Sequence, residues 1–215
     1  MMTRRTMTLG AFVAGAAAAT PSLAQQTARD LPPPAHQGGK PLMEALMLRR
    51  STRAYSAAPI PIQLLSDLLW AANGVNRPSG DRTAPYWRHI MVTDIYVAMA
   101  DGVWLYQPDA HKLQPYLPDD IRAETGLQDF VGTAPLDLIY VAHGERMADI
   151  GPAERRLYAS VDVGFIGQNV YLFCASAGLA TVFRGAVPYE SLTKKLALPG
   201  EQFITFAQTV GFPAA

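Results

Sequence analysis

The side chains best suited to ligand chemistry lie in one short basic segment, Arg49-Arg50-Ser51-Thr52-Arg53-Ala54-Tyr55. Guanidinium groups match phosphate or carboxylate oxygens through paired hydrogen bonds, and each charge-assisted bond contributes about 1.5 to 3 kcal/mol. Side chains alternate along an extended chain, so Arg49, Ser51 and Arg53 share one side if the segment is extended. The pattern indicates an anion-binding site, and the alternative is a solvated basic turn.

A second candidate binding segment is the loop from Asn76 to His89, which contains two aromatic residues, three arginines and a histidine. Loops often carry function because a rigid scaffold can aim their side chains. This composition suits a planar, polar, anionic ligand. The alternative is an ordinary surface loop with Trp87 packed against the core.

Several other kinds of site have little support. The histidines are scattered and never fall three or four residues apart, which argues against a metal site. The chain has no GxGxxG, GxxxxGK[ST] or GxSxG motif, so a Rossmann domain, a P-loop and a serine hydrolase are disfavoured. The single cysteine, Cys174, lies in an apolar stretch and is interpreted as a buried core residue rather than a reactive thiol. The 18 basic and 18 acidic residues argue against a nucleic-acid partner.

Residues 1–24 have the order of an export signal. Arg4 and Arg5 precede an apolar run, Leu9 to Ala19, and a small-residue cleavage site that ends at Ala24. The paired arginines favour the twin-arginine type, which carries proteins already folded, often around a cofactor. The apolar run is shorter than the roughly 20 residues that span a bilayer. We therefore expect a periplasmic mature chain without a stable membrane span.

Residues 25–41 contain three consecutive prolines and Gly38-Gly39, and they are predicted to be a linker. Residues 42–215 are long enough for one domain with its own core. Periodicity and turn residues predict helices over 42–50, 61–72, 153–177 and 189–196, and strands over 94–99, 103–106, 135–142, 181–183 and 203–210. Because strands and helices do not alternate regularly, the predicted fold is α+β with a mixed sheet flanked by helices.

Over nearly all of residues 41–213 the chain resembles the FMN-dependent nitroreductase family, and within it the branch of azoline (thiazole/oxazole) dehydrogenases. The resemblance rests on five segments taken together: RRSTRAY at 49–55, LLWAANGVNRP at 68–78, RTAP at 82–85, DIYVAMADGVWLYQPDAHKL at 94–113 and DVGFIGQNVYLFCASAGLATVFRG at 162–185. It implies a homodimer of single-domain subunits, with one FMN in each of two interface clefts.

The resemblance also implies which residues bind the FMN phosphate. Arg49, Ser51 and Arg53 would bind it, with Arg50 contributing through its backbone or side chain. Residues 211–215 carry no lysine or arginine, whereas many relatives place one near the phosphate. Arg88 and Arg184 are therefore candidate helpers.

For the rest of the flavin the resemblance implies contacts from two further segments. The isoalloxazine and ribityl chain would be lined by Pro85, Tyr86, Trp87, Arg88 and His89. Tyr86 and Trp87 stand where relatives have small residues, so they either narrow the pocket beside the ring or belong to a loop turned outward. Backbone N–H groups of Phe183, Arg184 and Gly185 would approach flavin N5 and O4, and a glycine permits such an approach.

The implied reaction has two steps. NAD(P)H or another donor passes hydride to the flavin, and the flavin then reduces a nitroaromatic, a quinone or a related acceptor. The flavin carries this chemistry, so no catalytic side chain is assigned. Two alternatives remain open: an exported flavin-binding module with little or no turnover, and a cofactor-free protein that binds another anion.

Overall fold

The computed structural model describes residues 26–214, so the predicted signal at 1–24 lies outside the described residues. A seven-stranded sheet forms the centre, in the order β1-β4-β3-β2-β5-β7-β6. Its strands are β1 (Arg29–Asp30), β2 (Thr93–Met99), β3 (Gly102–Gln107), β4 (Lys112–Leu117), β5 (Leu136–His143), β6 (Ala180–Arg184) and β7 (Gln202–Gly211). Four helices flank it: α1 (Leu42–Leu48), α2 (Ile62–Asn73), α3 (Pro152–Ala177) and α4 (Tyr189–Lys195). The predicted α+β fold is confirmed.

The sheet differs from the prediction in one respect, because all of its strand pairs are antiparallel. Strands β5 and β6 are connected through α3 and run in the same direction. Direct pairing of these two strands would give a parallel pair and make the sheet mixed. Instead β7 lies between them and pairs antiparallel with both, so no parallel pair forms in residues 26–214.

Both faces of the sheet are covered, and β5 is buried along its whole length. Its side chains alternate between two cores. Leu138 and Tyr140 pack in the core below α2 and α3, whereas Ile139 and Val141 pack in the core below α4. This central position explains why β5 is a nearly continuous apolar run in the sequence.

The long helix α3 begins at Pro152, whose missing N–H costs nothing in a first turn, and is followed by Gly178 with a left-handed φ of 74°. Val163, Val170 and Cys174 are fully buried. The interpretation of Cys174 as a core residue is thereby confirmed. No helix in the described part of the chain is long and apolar enough to cross a membrane.

The segment predicted to be a linker is instead packed against the domain. Arg29 and Asp30 add an edge strand to β4, and the side chain of Leu31 is buried in the core. Ser66 in α2 donates a 2.5 Å hydrogen bond to the Pro32 carbonyl. The prolines prevent helix formation, but their carbonyl groups can still accept hydrogen bonds, and side chains of α2 donate to them. A proline-rich segment can therefore pack against the domain rather than form a free linker.

Candidate functional site

The basic segment at 49–55 is extended, as the alternation argument requires. Arg49 has φ −54° and ψ 121°, and the Thr52 N–H donates a 2.9 Å hydrogen bond to the Thr181 carbonyl of β6. Tyr55 forms an isolated bridge with Pro213 just after β7. The segment is therefore fixed to the edge of the sheet at two points, and its side chains have defined directions.

We call Arg49, Ser51 and Arg53 the clasp. Its two arginines carry positive charges that are not neutralised by a nearby carboxylate of the described chain. Within residues 26–214 neither these arginines nor Arg50 forms an ion pair with a carboxylate, whereas arginines elsewhere in the chain do. Ser51 and Arg53 are exposed and Arg49 is half-buried. An uncompensated cluster of this kind can bind a phosphate or a carboxylate.

Arg50 and Thr52 line a cleft of about 600 Å³ together with Lys40 and the half-buried Tyr171. Apolar residues of α3, of β6 and of the turn between them also line this cleft, among them Ala175, Ala180 and Leu179. The Arg50 Nε donates a 3.3 Å hydrogen bond to the Leu48 carbonyl, which holds its side chain close to the end of α1.

Tyr171 joins the clasp to β6, and sequence reasoning missed it. Its hydroxyl oxygen lies 2.7 Å from the Ser51 Oγ and accepts a 2.9 Å hydrogen bond from the Phe183 N–H. The Arg49 guanidinium lies over its ring at 5.3 Å from the centroid. A phenol hydroxyl in the otherwise apolar run Val170 to Cys174 was the available signal, because such a group needs a polar partner.

The loop predicted to line the flavin packs against its own chain at Trp87. This side chain is 9% exposed and lies in a small core with Val92, Met147 and Ala159. The Trp87 ring is therefore packed against the core, as the alternative interpretation expected, and contact of this residue with a ligand stays a prediction. Removing so large an apolar ring from water is favourable, so a loop tryptophan tends to pack into a nearby core.

Arg88 and His89 extend outward from this packed tryptophan. The Arg88 guanidinium stacks on the Trp87 ring at 4.5 Å and pairs with Asp149 at 2.6 Å. The His89 side chain is 86% exposed. Both residues have left-handed backbones, with φ of 46° and 57°, which costs about 1 to 3 kcal/mol each. The loop thus holds a strained conformation that exposes Pro85, Arg88 and His89.

Tyr86 is held inside the loop rather than pointing to solvent. Its hydroxyl donates to Asp81, and Ser79 donates to the same carboxylate. These hydrogen bonds lower the pKa of Asp81 to about 2. The carboxylate therefore stays charged and keeps Tyr86 in place throughout the physiological pH range.

Asp162 of α3 anchors the loop from below. Its carboxylate accepts a 3.0 Å hydrogen bond from the Trp87 N–H, and the residue is only 4% exposed. Burial raises the pKa of Asp162 to about 6, and the single N–H bond only partly opposes that effect.

Arg184 cannot serve as the predicted helper for a phosphate, because its side chain is completely buried. It pairs with Asp137 of β5 at 2.7 Å and also donates to Thr209 and to the Thr125 carbonyl. Neighbouring residues of a strand face opposite sides, so Arg184 enters the sheet interior. The signal in the sequence was Asp137, a charge in a buried strand that needs a partner.

Gly185 is exposed, and nothing in its own chain requires a glycine there. Its φ is not left-handed, and an added Cβ would lie 3.6 Å from the Phe206 ring, an ordinary contact. By contrast, a Cβ at Gly167 would lie 2.6 Å from the Phe183 ring. Gly167 is therefore needed for internal packing, while Gly185 leaves open backbone at the surface.

The structure brings the clasp close to β6, but the Phe183 N–H, which was predicted to approach the flavin, is bonded to the Tyr171 hydroxyl instead. The loop lies elsewhere. Trp87 is anchored to Asp162 and the clasp to Tyr171, and these two positions of α3 lie roughly 13 Å apart along the helix axis. A single chain therefore presents the clasp and the loop at separate points on α3.

Comparison with known proteins agrees with this fold. The model of the Nitroreductase family matches residues 46–212. The chain belongs to this family. Membership of this family indicates that the protein is an oxidoreductase.

Two relatives and a more distant structure illustrate the similarity. A protein named as a nitroreductase from Methanocaldococcus jannaschii is 35% identical over 155 residues, which cover 67% of this chain and 78% of the relative. The crystal structure of a protein named as a nitroreductase from Ralstonia eutropha is 41% identical, with a TM-score of 0.85 over 89% of this chain and 92% of that chain. An NADPH:FMN oxidoreductase from Vibrio harveyi, solved with NAD+, shares the fold at 22% identity and a TM-score of 0.61, over 81% and 69% of the two chains.

Proposed function

We propose that this nitroreductase-family protein is an FMN-dependent oxidoreductase. It takes hydride from NAD(P)H or another donor and reduces a nitroaromatic, a quinone or a related small acceptor. The clasp carries the proposal, because the backbone of its segment is held at the sheet edge and its two guanidinium groups have no carboxylate partners in the described chain. A phosphate monoester accepts hydrogen bonds only and is a dianion near neutral pH, so it matches these donors.

The other contacts of the chain fit the same cofactor. Arg49 and Arg53 would bind the phosphate through their guanidinium groups, and Ser51 would donate from its hydroxyl. The exposed backbone at Gly185 would admit the edge of a planar ring, because glycine has no side chain to obstruct it. The fold itself does not require a glycine at this position, since an added Cβ would make only ordinary contacts. Bound FMN supplies the hydride chemistry, and the chain supplies binding and orientation.

The proposed active form is a homodimer. On α3, Leu157, Val161 and Phe165 are 58%, 45% and 45% exposed and follow one another at intervals of one helical turn. On α1, Met43 and Met47 are 70% and 85% exposed. Contiguous exposed apolar faces of this kind mark an interface. A second copy would cover them, and it would bring the loop of one subunit towards the clasp of the other.

Sedimentation or light scattering tests the dimer. Phe165→Glu should convert it to a monomer, because the new carboxylate would be buried without a partner. Leu127→Glu is the matched control, since Leu127 is 69% exposed but lies outside both helices. A wild-type monomer at all concentrations, or equal effects of the two variants, would contradict this interface.

Flavin retention tests the cofactor assignment. The purified protein should be yellow, with absorbance at about 450 nm, as for any oxidised flavin. Arg49→Ala combined with Arg53→Ala should weaken FMN binding by at least about a hundredfold, because two charge-assisted contacts are lost. Lys112→Ala with Lys194→Ala removes two exposed cations elsewhere and should leave binding unchanged. Undiminished binding by the arginine variant would refute the site.

Anaerobic spectroscopy separates the enzyme from the two alternatives. Bleaching of the bound flavin by NADH or NADPH, followed by recolouring with a nitroaromatic or a quinone, supports turnover. Bound flavin that no donor reduces would favour a flavin-binding module. A colourless protein that FMN cannot reconstitute would favour a cofactor-free anion-binding protein.

Two finer assignments rest on the sequence. We propose, from the resemblance of the five segments quoted above, that the chain belongs to the azoline dehydrogenase branch. Incubation with an azoline-containing peptide would test this by the mass loss of two hydrogen atoms. Residues 1–24 direct the protein to the periplasm through a twin-arginine signal. Replacing Arg4 and Arg5 by lysine should retain the protein in the cytoplasm, as cell fractionation would show.

A further inference from the structure

Tyr171 makes three contacts that converge on the clasp. Its hydroxyl contacts the Ser51 Oγ at 2.7 Å and the Phe183 N–H at 2.9 Å, and its ring lies 5.3 Å from the Arg49 guanidinium carbon. The contacts span three separate parts of the chain: the extended basic segment, α3 and β6. No other side chain of residues 26–214 forms hydrogen bonds to both Ser51 and Phe183.

The polarity of these hydrogen bonds follows from their chemistry. A backbone N–H can only donate, so the Tyr171 oxygen accepts from Phe183. The phenol has a single hydrogen, and the Ser51 Oγ is the acceptor within reach of it. If Ser51 donated instead, the phenol hydrogen would have no acceptor among the described contacts. In the relay inferred below, Tyr171 donates to Ser51, which leaves the Ser51 hydrogen free.

We propose that Tyr171 is a positioning residue that presents Ser51 as a hydrogen-bond donor to the cofactor phosphate. The chain of bonds runs from the Phe183 N–H to the Tyr171 oxygen, from the Tyr171 hydroxyl to the Ser51 Oγ, and from the Ser51 hydroxyl to a phosphate oxygen. Hydrogen bonds aligned in one direction polarise and strengthen one another. This inference rests on the proposed FMN function and adds to it a residue that does not itself touch the phosphate.

Arg49 and β6 keep the relay in place. The guanidinium over the Tyr171 ring is within the distance of a cation–π contact, so Tyr171 also orients one of the two clasp arginines. The Thr52 N–H bond to Thr181 fixes the segment next to Ser51. The phosphate end of the site is thereby tied to β6, which Gly185 directly follows.

The test compares FMN with riboflavin, which has the same ring and lacks the phosphate. In wild type, fluorescence titration should show tighter binding of FMN than of riboflavin. Tyr171→Phe should raise the Kd for FMN about three- to tenfold, the size of one lost neutral hydrogen bond, and change that for riboflavin less than about twofold. Effects on the fold or on ring binding cancel in the ratio, so a purely structural role would leave the ratio unchanged.

Two further variants keep the test decisive. Ser51→Ala should reduce the FMN preference similarly, and the double variant should be no worse than Ser51→Ala alone, because both changes break one relay. Tyr116→Phe removes a hydroxyl that donates to the Leu196 carbonyl, far from the clasp, and should change neither affinity. If Tyr171→Phe does not fold, Ser51→Ala alone must lower the FMN preference for the relay to stand.

The outcomes separate this inference from the proposed function. A wild-type protein that binds neither flavin overturns both. A wild-type protein that prefers FMN, together with an unchanged preference in Tyr171→Phe or additive losses in the double variant, overturns the relay and leaves the FMN assignment intact.

Discussion

Replacing Asp162 by asparagine should stabilise the protein at neutral pH. Asp162 is 4% exposed, and within residues 26–214 its carboxylate accepts a single hydrogen bond, from the Trp87 N–H. Asparagine keeps a carbonyl oxygen that can accept this bond, and it removes the buried charge. The substitution therefore isolates the cost of ionising the carboxyl group inside the fold.

The size and the pH dependence follow from the pKa of Asp162, which burial raises from 3.8 to about 6. A raised pKa means that the folded protein favours the protonated form, so the stability contributed by this group is present below about pH 4 and is lost as the pH rises through about 6. Because one pKa unit corresponds to 1.36 kcal/mol, the ionised group costs up to about 3 kcal/mol at about pH 7.5, and about 1 kcal/mol at about pH 4.5.

Urea denaturation of wild type and Asp162→Asn at these two pH values, at one protein concentration, measures the difference. The variant should be more stable by about 2 to 3 kcal/mol near neutrality, and this gain should shrink by more than half in acid. Other titrating groups cancel in the comparison. Asp149→Asn, an exposed carboxylate that pairs with Arg88 on the same loop, should bring no such gain. A gain that is equal at both pH values, or a less stable variant, would show that the buried charge of Asp162 does not destabilise the fold.

Three further substitutions test the packing around β6. Arg184→Met should destabilise the protein by about 3 to 5 kcal/mol in urea denaturation, because it leaves Asp137 buried without its partner. Gly167→Ala should cost about 1 to 3 kcal/mol in the same assay, because its Cβ would lie 2.6 Å from the Phe183 ring. Gly185→Ala should change stability by less than about 1 kcal/mol yet weaken FMN binding at least about tenfold in fluorescence titration, because the new Cβ meets only ordinary contacts in the chain and would obstruct the flavin.

Local patterns predicted most of the elements. Helix α3 was expected over 153–177 and is found at Pro152–Ala177, because its apolar composition after Val161 and the stop at Gly178 are both local to the segment. The hairpin of β2 and β3 was likewise evident from its turn at Ala100 to Gly102. Alternation along an extended chain also predicted that Arg49 and Ser51 share a side, and both contact Tyr171.

Long-range pairing was beyond the reach of these patterns. Arg184 and Asp137 are separated by 47 positions in the sequence. Side-chain alternation could predict that Arg184 and Phe183 face opposite sides of the sheet, but it could not identify Asp137 as the partner of Arg184. Trp87 in a loop suggested a ligand contact, whereas its ring is covered by Met147 and Ala159 from distant segments. In both cases the stabilising contacts are made with residues distant in the sequence, and local patterns do not show which distant residues become neighbours.

The family, the approximate extents of the main helices and strands, and the clustering of basic side chains at residues 49–53 could all be recognised in the sequence. These properties depend on residue type and on spacing within single segments. Three further features emerge only on folding: β7 separates β5 from β6, Arg184 is part of the core, and Tyr171 connects the clasp to β6. These depend on which distant segments meet, since burial and hydrogen bonding are satisfied only once the whole chain is packed.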